Sequence, residues 1–516
     1  MTSAPFQNEP FLDFTQPAHI AGMEAALAQI RAEAAHTYPL IIGGEQIMTE
    51  ATIASLNPAR PSEVVGRVAS ASVAQAGQAL EAATAAFAGW RAVPMADRVA
   101  LVRRAADAIR QRRYAFTALL VLEVSKSWAE ADADVAEAID FAEYYAREAL
   151  RLDAPAELVQ MPGEHSVLRY VPLGAGVAIP PWNFPLAIMV GLTLAPVVVG
   201  NTIVLKPAST SPVVAAKFAQ LLVEIGLPAG VVNFLPGPGG AIGDALVDSP
   251  LTRFIAFTGS KEVGLRIFER AAKHQPGQKW LKRTVLEMGG KDTIIVDETA
   301  DLDAAAAGIV ASAFGFQGQK CSACSRVVAV DAIYDTLLQK VVDRARTIVP
   351  GDPADGKTAM GAVIDAKAHD KITEYIALGA QEGRVVLGGA PVAGEGYFIA
   401  PTIIADIAPD ARLSQEEVFG PVLAFVRAAD FDAALDVANN TEYGLTGGLF
   451  SADAARLART REEFHVGNLY LNRKITGAMV GAHPFGGFNM SGTDSKAGGA
   501  DYLLLFTQAK TIAEKL

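Results

Sequence analysis

Apolar positions along the chain keep two different rhythms. Between residues 74 and 150 they recur every three or four positions in alanine-rich stretches, which predicts helices over 74–90, 98–111, 115–125 and 131–150. A further helix is expected near 21–35, within an N-terminal arm of residues 1–37. From 174 to 272 short β-branched runs alternate with helical periods. Strands are expected at 177–179, 202–205, 231–235 and 254–257, and helices at 186–199, 212–225, 241–247 and 261–272. Pro212 in a first turn and Gly226 after a last one punctuate one of these helices. Strands alternating with helices imply a parallel, doubly wound sheet, which takes ligands at the carboxyl ends of its strands. A second alternating run from about 292 to 450 is again α/β. Residues 484–500 are glycine-rich, and 502–506 has a strand-like composition.

Residues 171–205 carry no formal charge, but Pro172, Pro180, Pro181, Pro185 and Pro196 interrupt them. A membrane span needs about 20 unbroken apolar residues, so a buried strand–turn–helix–strand is expected instead. At 516 residues the chain is too long for one core, and two or three domains are expected. Hydrophobic residues are 51% and charged residues 19%, the balance of a globular protein. The net charge of −12 argues against a nucleic-acid surface. The N-terminus has no basic region followed by an apolar one, and two cysteines three positions apart make no disulfide framework. A cytoplasmic setting is expected.

Both cysteines fall in Gly318-Gln-Lys-Cys-Ser-Ala-Cys324. A thiol in a polar turn beside a lysine has the makings of a nucleophile, because a neighbouring cation favours the thiolate. Cys321 is therefore a candidate nucleophile, with Lys320 as the neighbouring cation; nothing points at Cys324, which is expected to be structural. Gly237-Pro-Gly239-Gly240-Ala-Ile-Gly243 lacks the spacing of a dinucleotide fingerprint. Phe257-Thr-Gly-Ser260 ends a strand and opens a helix, where backbone N–H groups attract phosphate. The histidines have no metal-ligand spacing, and no metal is expected.

Four segments in order, Pro181-Trp-Asn-Phe-Pro185, Leu286-Glu-Met-Gly-Gly-Lys291, Gly318-Gln-Lys-Cys321 and Glu417-Val-Phe-Gly-Pro421, resemble the NAD(P)-dependent aldehyde dehydrogenase superfamily. The resemblance runs from about Tyr38 to the C-terminus. It implies a Rossmann-type cofactor domain (38–150 and 173–286), an α/β catalytic domain (287–475) and a small β oligomerisation segment (151–172 and 488–516). Cys321 would attack an aldehyde, with Asn183 and the Cys321 backbone N–H facing the oxyanion and Glu287 acting as base for thioester hydrolysis. By the same resemblance Lys206 and Glu417 bond ribose hydroxyls, Gly259 and Ser260 lie by the pyrophosphate, and Phe419 packs by the nicotinamide. Many NAD-selective relatives carry an acidic residue where this chain has Ser209, so NAD is expected with NADP tolerated.

The stretches 472–478 and 483–499 resemble the branch of the superfamily that oxidises L-glutamate γ-semialdehyde, the second step of proline catabolism. That implies an anchor loop, Thr476-Gly477-Ala478, for the substrate's carboxylate. Ser322, Lys320 and Glu137 would add polar contacts, while Phe184 and Phe485 would clamp the aliphatic chain. The alternative is a related dehydrogenase for another carboxylated aldehyde. A stand-alone enzyme is expected, forming a homodimer or a trimer of dimers.

Overall fold

The computed structural model describes residues 5–154, 156 and 158–516. Residues 1–4 of the expected arm, and 155 and 157 of the expected oligomerisation segment, lie outside the described residues.

Two seven-stranded sheets organise the chain. In the first, Ala175–Ile179 is central. The chain winds outward one way through Thr202–Leu205 and Val232–Phe234, then the other way through Phe254–Thr258 and Arg283–Glu287, all parallel. This is the doubly wound pattern, and Leu40–Ile42 and Glu45–Ile47 finish one edge antiparallel. Val177, Ile203, Val204 and Leu205 are fully buried because helices cover both faces, which is why these strands are apolar throughout rather than alternating. The uncharged stretch folds as expected, with Ala187–Val198 as a buried helix between two strands. Among the described residues no helix is long and apolar enough to cross a membrane.

The second sheet runs Arg384–Leu387, Thr402–Ala405, Val422–Ala428, Arg326–Val330, Thr293–Val296, Thr446–Phe450 and Asn468–Leu471, parallel except for the first. Alternate side chains feed two cores. Ile294, Val296 and Val327 pack under Leu302–Phe314 and Tyr334–Ala345, whereas Ile295, Val328 and Val330 pack under Phe431–Asn439.

Two features depart from expectation. Thr37–Tyr38, Thr52–Asn57 and Arg60–Ala69 form a three-stranded sheet in a region where no strand was expected. Residues 502–506 are a 3-10 turn and not a strand. The reason is packing: Tyr502 stacks on Tyr145, and Phe506 meets both Tyr502 and Phe254, so apolar side chains three to four positions apart share one buried side. The last strand begins at Thr507 and pairs antiparallel with Glu164–Pro172 along its whole length. Residues 488–506 do not extend this ribbon; part of that segment packs against Glu287.

Candidate active site

The thiol sits just past a backbone that L-residues seldom adopt. Phe316 (φ 49°), Gln317 (φ 56°) and Gly318 (φ 67°) follow the helix Leu302–Phe314 in left-handed conformation. For Phe316 and Gln317, which are not glycine, this conformation costs about 1–3 kcal/mol each and persists only where the surroundings over-determine it. Gln317 Nε2 donates to the carbonyls of Ser125 (2.9 Å) and Ala362 (2.8 Å), and Gln319 Oε1 accepts from Ile364 N (2.9 Å). A side chain at position 318 would run into the Gly420 carbonyl. The buried amides of Gln317 and Gln319 therefore shape the turn that presents Cys321.

Lys320 does not act on the thiol as expected. Its Nζ donates to both oxygens of Glu130 at 2.7 Å, so its charge is matched within the cavity wall. Burial pushes the Cys321 thiol well above its ordinary range, and the carboxylates of Asp292, Glu287 and Glu417 add to this. Cys321 needs a base to become a nucleophile. Cys324 is buried in the second sheet's core, its thiol 3.5 Å from the Arg326 carbonyl.

Asn183 is buried, and its Nδ2 donates to the Gln319 carbonyl at 3.0 Å. This ties the loop after Ala175–Ile179 to the thiol turn of the second sheet. An amide carries a second hydrogen for another acceptor. The next residue, Phe184, lies under the Lys126 ammonium, 3.7 Å from its ring centre. Lys126 in turn donates to Asp134 Oδ2 at 2.9 Å, and Asp134 Oδ1 accepts from Ala187 N at 2.7 Å. Both members of the ion pair are fully buried beneath the Pro-Trp-Asn-Phe-Pro segment.

Glu287 ends the strand Arg283–Glu287. Its Oε1 accepts from Ser495 Oγ at 2.5 Å, whereas Oε2 is buried without a hydrogen-bond partner. Burial pushes its carboxyl up to about 8 despite the Ser495 hydroxyl, which pulls the other way. A carboxylate poised there can hold or release a proton near neutrality.

A cavity of about 170 Å³ joins these groups. Cys321, Glu287, Glu137, Phe184, Lys320, Ser322, Gly477, Ala478 and Phe485 all line it. Gly477 (φ 76°) gives the loop its left-handed turn. Burial, then the nearby Asp134, pushes the Glu137 carboxyl up to about 8. Sequence reasoning missed Glu130, Phe11, Tyr145 and Tyr502, which also line the cavity. One signal for Glu130 was available: it stands seven positions before Glu137 on the helix Trp128–Asp153, hence on the same face.

Other predicted residues lie at the carboxyl ends of the first sheet and across the cleft. Lys206 is buried, its Nζ donates to the Pro207 carbonyl (3.2 Å), and burial lowers its ammonium to about 8. Ser209 Oγ lies 3.5 Å from the Gly237 carbonyl. Gly259 follows the strand Phe254–Thr258, and Ser260 caps the helix Lys261–Ala272 by accepting from Val263 N. Glu417 Oε1 accepts from Gly290 N at 3.0 Å, and a side chain at Gly289 would overlap its carboxylate. Phe419 (φ 61°) meets Trp182 edge-on at 5.6 Å. A buried ammonium with no carboxylate partner among the described residues, a capped helix N-terminus and a carboxylate suit a ligand carrying hydroxyl and phosphate groups.

A model described as the aldehyde dehydrogenase family matches residues 47–512, and the chain belongs to that family. The 1-pyrroline-5-carboxylate dehydrogenase of Anoxybacillus flavithermus is 57% identical over 510 residues, covering 99% of each chain. The crystal structure of 1-pyrroline-5-carboxylate dehydrogenase from Thermus with bound NAD is similar over the whole of both chains, with 53% identity and a TM-score of 0.98. Proline utilization A from Bdellovibrio bacteriovorus, at 45% identity and a TM-score of 0.98, matches all of this chain with 54% of its own.

Proposed function

We propose that this chain oxidises L-glutamate γ-semialdehyde, the open form of 1-pyrroline-5-carboxylate, to L-glutamate with NAD. The observation that carries the reading is the shared cavity, in which Cys321 and Glu287 face the loop Gly477-Ala478 and Glu137. The name and bound NAD of the Thermus relative support the substrate and the cofactor.

Cys321 adds to the aldehyde carbon, and its proton passes to a base; Glu287, which lines the same cavity as the thiol, takes that part. The resulting oxyanion faces the second amide hydrogen of Asn183 and the Cys321 backbone N–H, donors fixed before the reaction. Bound NAD supplies the acceptor for the hydride whose loss turns the thiohemiacetal into a thioester. Glu287 then takes a proton from the water that cleaves the thioester, and Cys321 is restored. Gly477 and Ala478 hold the substrate's α-carboxylate, Ser322 and Glu137 take its polar head, and Phe184 and Phe485 flank its chain. Lys320 acts through its pair with Glu130, shaping the wall. When NAD is bound, Lys206 and Glu417 would hold ribose hydroxyls, Ser209 would stand on the adenosine side, Gly259 and Ser260 would meet the pyrophosphate, and Phe419 would pack by the nicotinamide.

Residues 38–150 and 173–286 serve as the cofactor domain and 287–475 as the catalytic domain. The ribbon of Glu164–Pro172 and Thr507–Lys515 pairs subunits, as a homodimer or a trimer of dimers in the cytoplasm. A rate matrix of aldehydes against NAD and NADP tests the function. Glutamate semialdehyde with NAD should give the highest kcat/KM, and Cys321→Ala should produce no NADH; preference for succinate semialdehyde would displace the substrate.

A further inference from the structure

The arm before the first helix is strapped across the mouth of the cavity. Phe11, half-exposed, lines that cavity together with Glu137 and Ala478. Its neighbours are held on both sides. Asn8 Nδ2 donates to Asp140 Oδ2 at 2.9 Å and to the Val480 carbonyl at 3.0 Å. Glu9 N donates to Asp140 Oδ1 (2.7 Å), and Leu12 N donates to Asp132 Oδ2 (2.8 Å). Arg113 donates to both oxygens of Asp132 and, through Nη2, to the Pro10 carbonyl at 2.8 Å. Arg110 grips the Glu9 carboxylate at 3.0 Å, and Phe6 meets Tyr144 edge-on.

The helix Trp128–Asp153 explains how this strap reaches the chemistry. Asp132 and Asp140 are eight positions apart, so they share a face and hold the arm at two points. Glu130, Ala133, Glu137 and Phe141, spaced by three and four, line the cavity from the adjoining face. Asn8 closes the circuit, since Val480 lies two residues past Ala478 in the loop that faces the substrate's head. Asp140 is a buried carboxylate whose two oxygens both accept from the arm, and Asp132, also buried, takes Leu12 N beside its pair with Arg113.

We propose that the N-terminal arm is a wall of the substrate cavity, with Phe11 a specificity-determining residue at its mouth and Asn8 a positioning residue for the loop Gly477-Ala478. This rests on the proposed function for the identity of the substrate, but not for the wall itself. Phe11 limits the width of aldehyde that can approach Cys321. Asn8 affects how firmly the carboxylate head is held.

The test uses the full-length protein with Phe11→Ala and Asn8→Ala. Phe11→Ala should shift the kcat/KM ratio of phenylacetaldehyde to glutamate semialdehyde by about tenfold or more toward the bulkier aldehyde, tenfold being the low end for a single methylene's worth of space in a pocket. Asn8→Ala should raise the KM for glutamate semialdehyde severalfold and leave the KM for NAD unmoved. A second measurement needs no substrate: alkylation of Cys321 by a pyrene maleimide relative to iodoacetamide, mapped by peptide mass. That ratio should rise in Phe11→Ala. Unchanged ratios in both measurements would overturn the wall. A parent protein that fails to oxidise glutamate semialdehyde, with the alkylation ratio still rising in the variant, would uphold the wall and overturn the substrate.

Discussion

The Asn183 amide reaches across the cleft to the Gln319 carbonyl at 3.0 Å, two residues before the thiol and 136 positions away in sequence. One hydrogen of the amide thus ties the loop after Ala175–Ile179 to the turn that carries Cys321, leaving the other for the proposed oxyanion. Asn183→Ala should lower kcat/KM by roughly a hundred- to a thousandfold, as loss of one preorganised donor does. The loss should fall on the acylation step, so the NADH burst slows in stopped flow. A slow steady state after an undiminished burst would place Asn183 elsewhere in the cycle.

Glu287, the proposed base, is hydrogen-bonded to Ser495. The Ser495 hydroxyl supports the charged form of a carboxyl that burial has pushed up to about 8. A base works when deprotonated, so deacylation should rise with pH through that value and level off above it. Ser495→Ala removes a hydrogen bond to the charged form, and such bonds are worth about 1.5–3 kcal/mol, against 1.36 per pKa unit. The midpoint of the single-turnover profile should move upward by about one unit or more. Glu287→Gln should give a full NADH burst and then stall as the thioester accumulates. An unmoved midpoint in Ser495→Ala would remove Glu287 from the base role.

The alternating run from 174 to 272 was legible because both faces of its strands are buried, and burial writes itself as uninterrupted Val, Ile and Leu. Cys321, Glu287 and Gly477 were visible through local motifs, whose residues shape their own turns. What the motifs do not record is partnership. Lys320 looked like a cation available to the thiol, yet its partner Glu130 lies 190 positions upstream on a helix whose periodicity speaks only of packing. Phe11 belongs to a segment without regular structure, so no period marks it. The turn at 502–506 fooled the composition because Tyr502 and Phe506 answer to Tyr145 and Phe254, rings that fold back from far away.

Lys126 and Asp134 are expected to matter for stability as well as shape. Both are fully buried, and they pair at 2.9 Å. Lys126→Met leaves the buried Asp134 carboxylate with its Ala187 N–H bond but without its cation, and breaking a buried pair on one side costs about 3–5 kcal/mol. Burial already raises the Asp134 carboxyl above its ordinary value, and loss of Lys126 raises it further. A carboxyl with a raised folded-state pKa binds a proton more tightly folded than unfolded, so its stability contribution is lost as pH rises. The variant should therefore be more destabilised near neutral pH than in mild acid, measured by urea unfolding at both. An equal deficit at the two would show that Asp134 does not carry the cost. Since Phe184 lies against Lys126, kcat/KM should fall too.

Ser209 bears on cofactor choice. It is exposed, follows the strand Thr202–Leu205 and lies beside the Gly237 carbonyl, on the rim where the proposed adenosine end rests. A serine there neither holds nor repels a 2′-phosphate strongly. Ser209→Glu would set a carboxylate against a phosphate that carries close to two charges near neutrality. Each unit pair at about 4 Å costs about 1 kcal/mol in water, and 1.4 kcal/mol is tenfold in affinity. The KM for NADP should rise by roughly tenfold or more, with that for NAD falling or unchanged because its ribose offers hydroxyls to the new acceptor. The effect should shrink at high ionic strength, since the pair is exposed to salt. Equal responses of the two cofactors would mean that position 209 does not face the ribose at all.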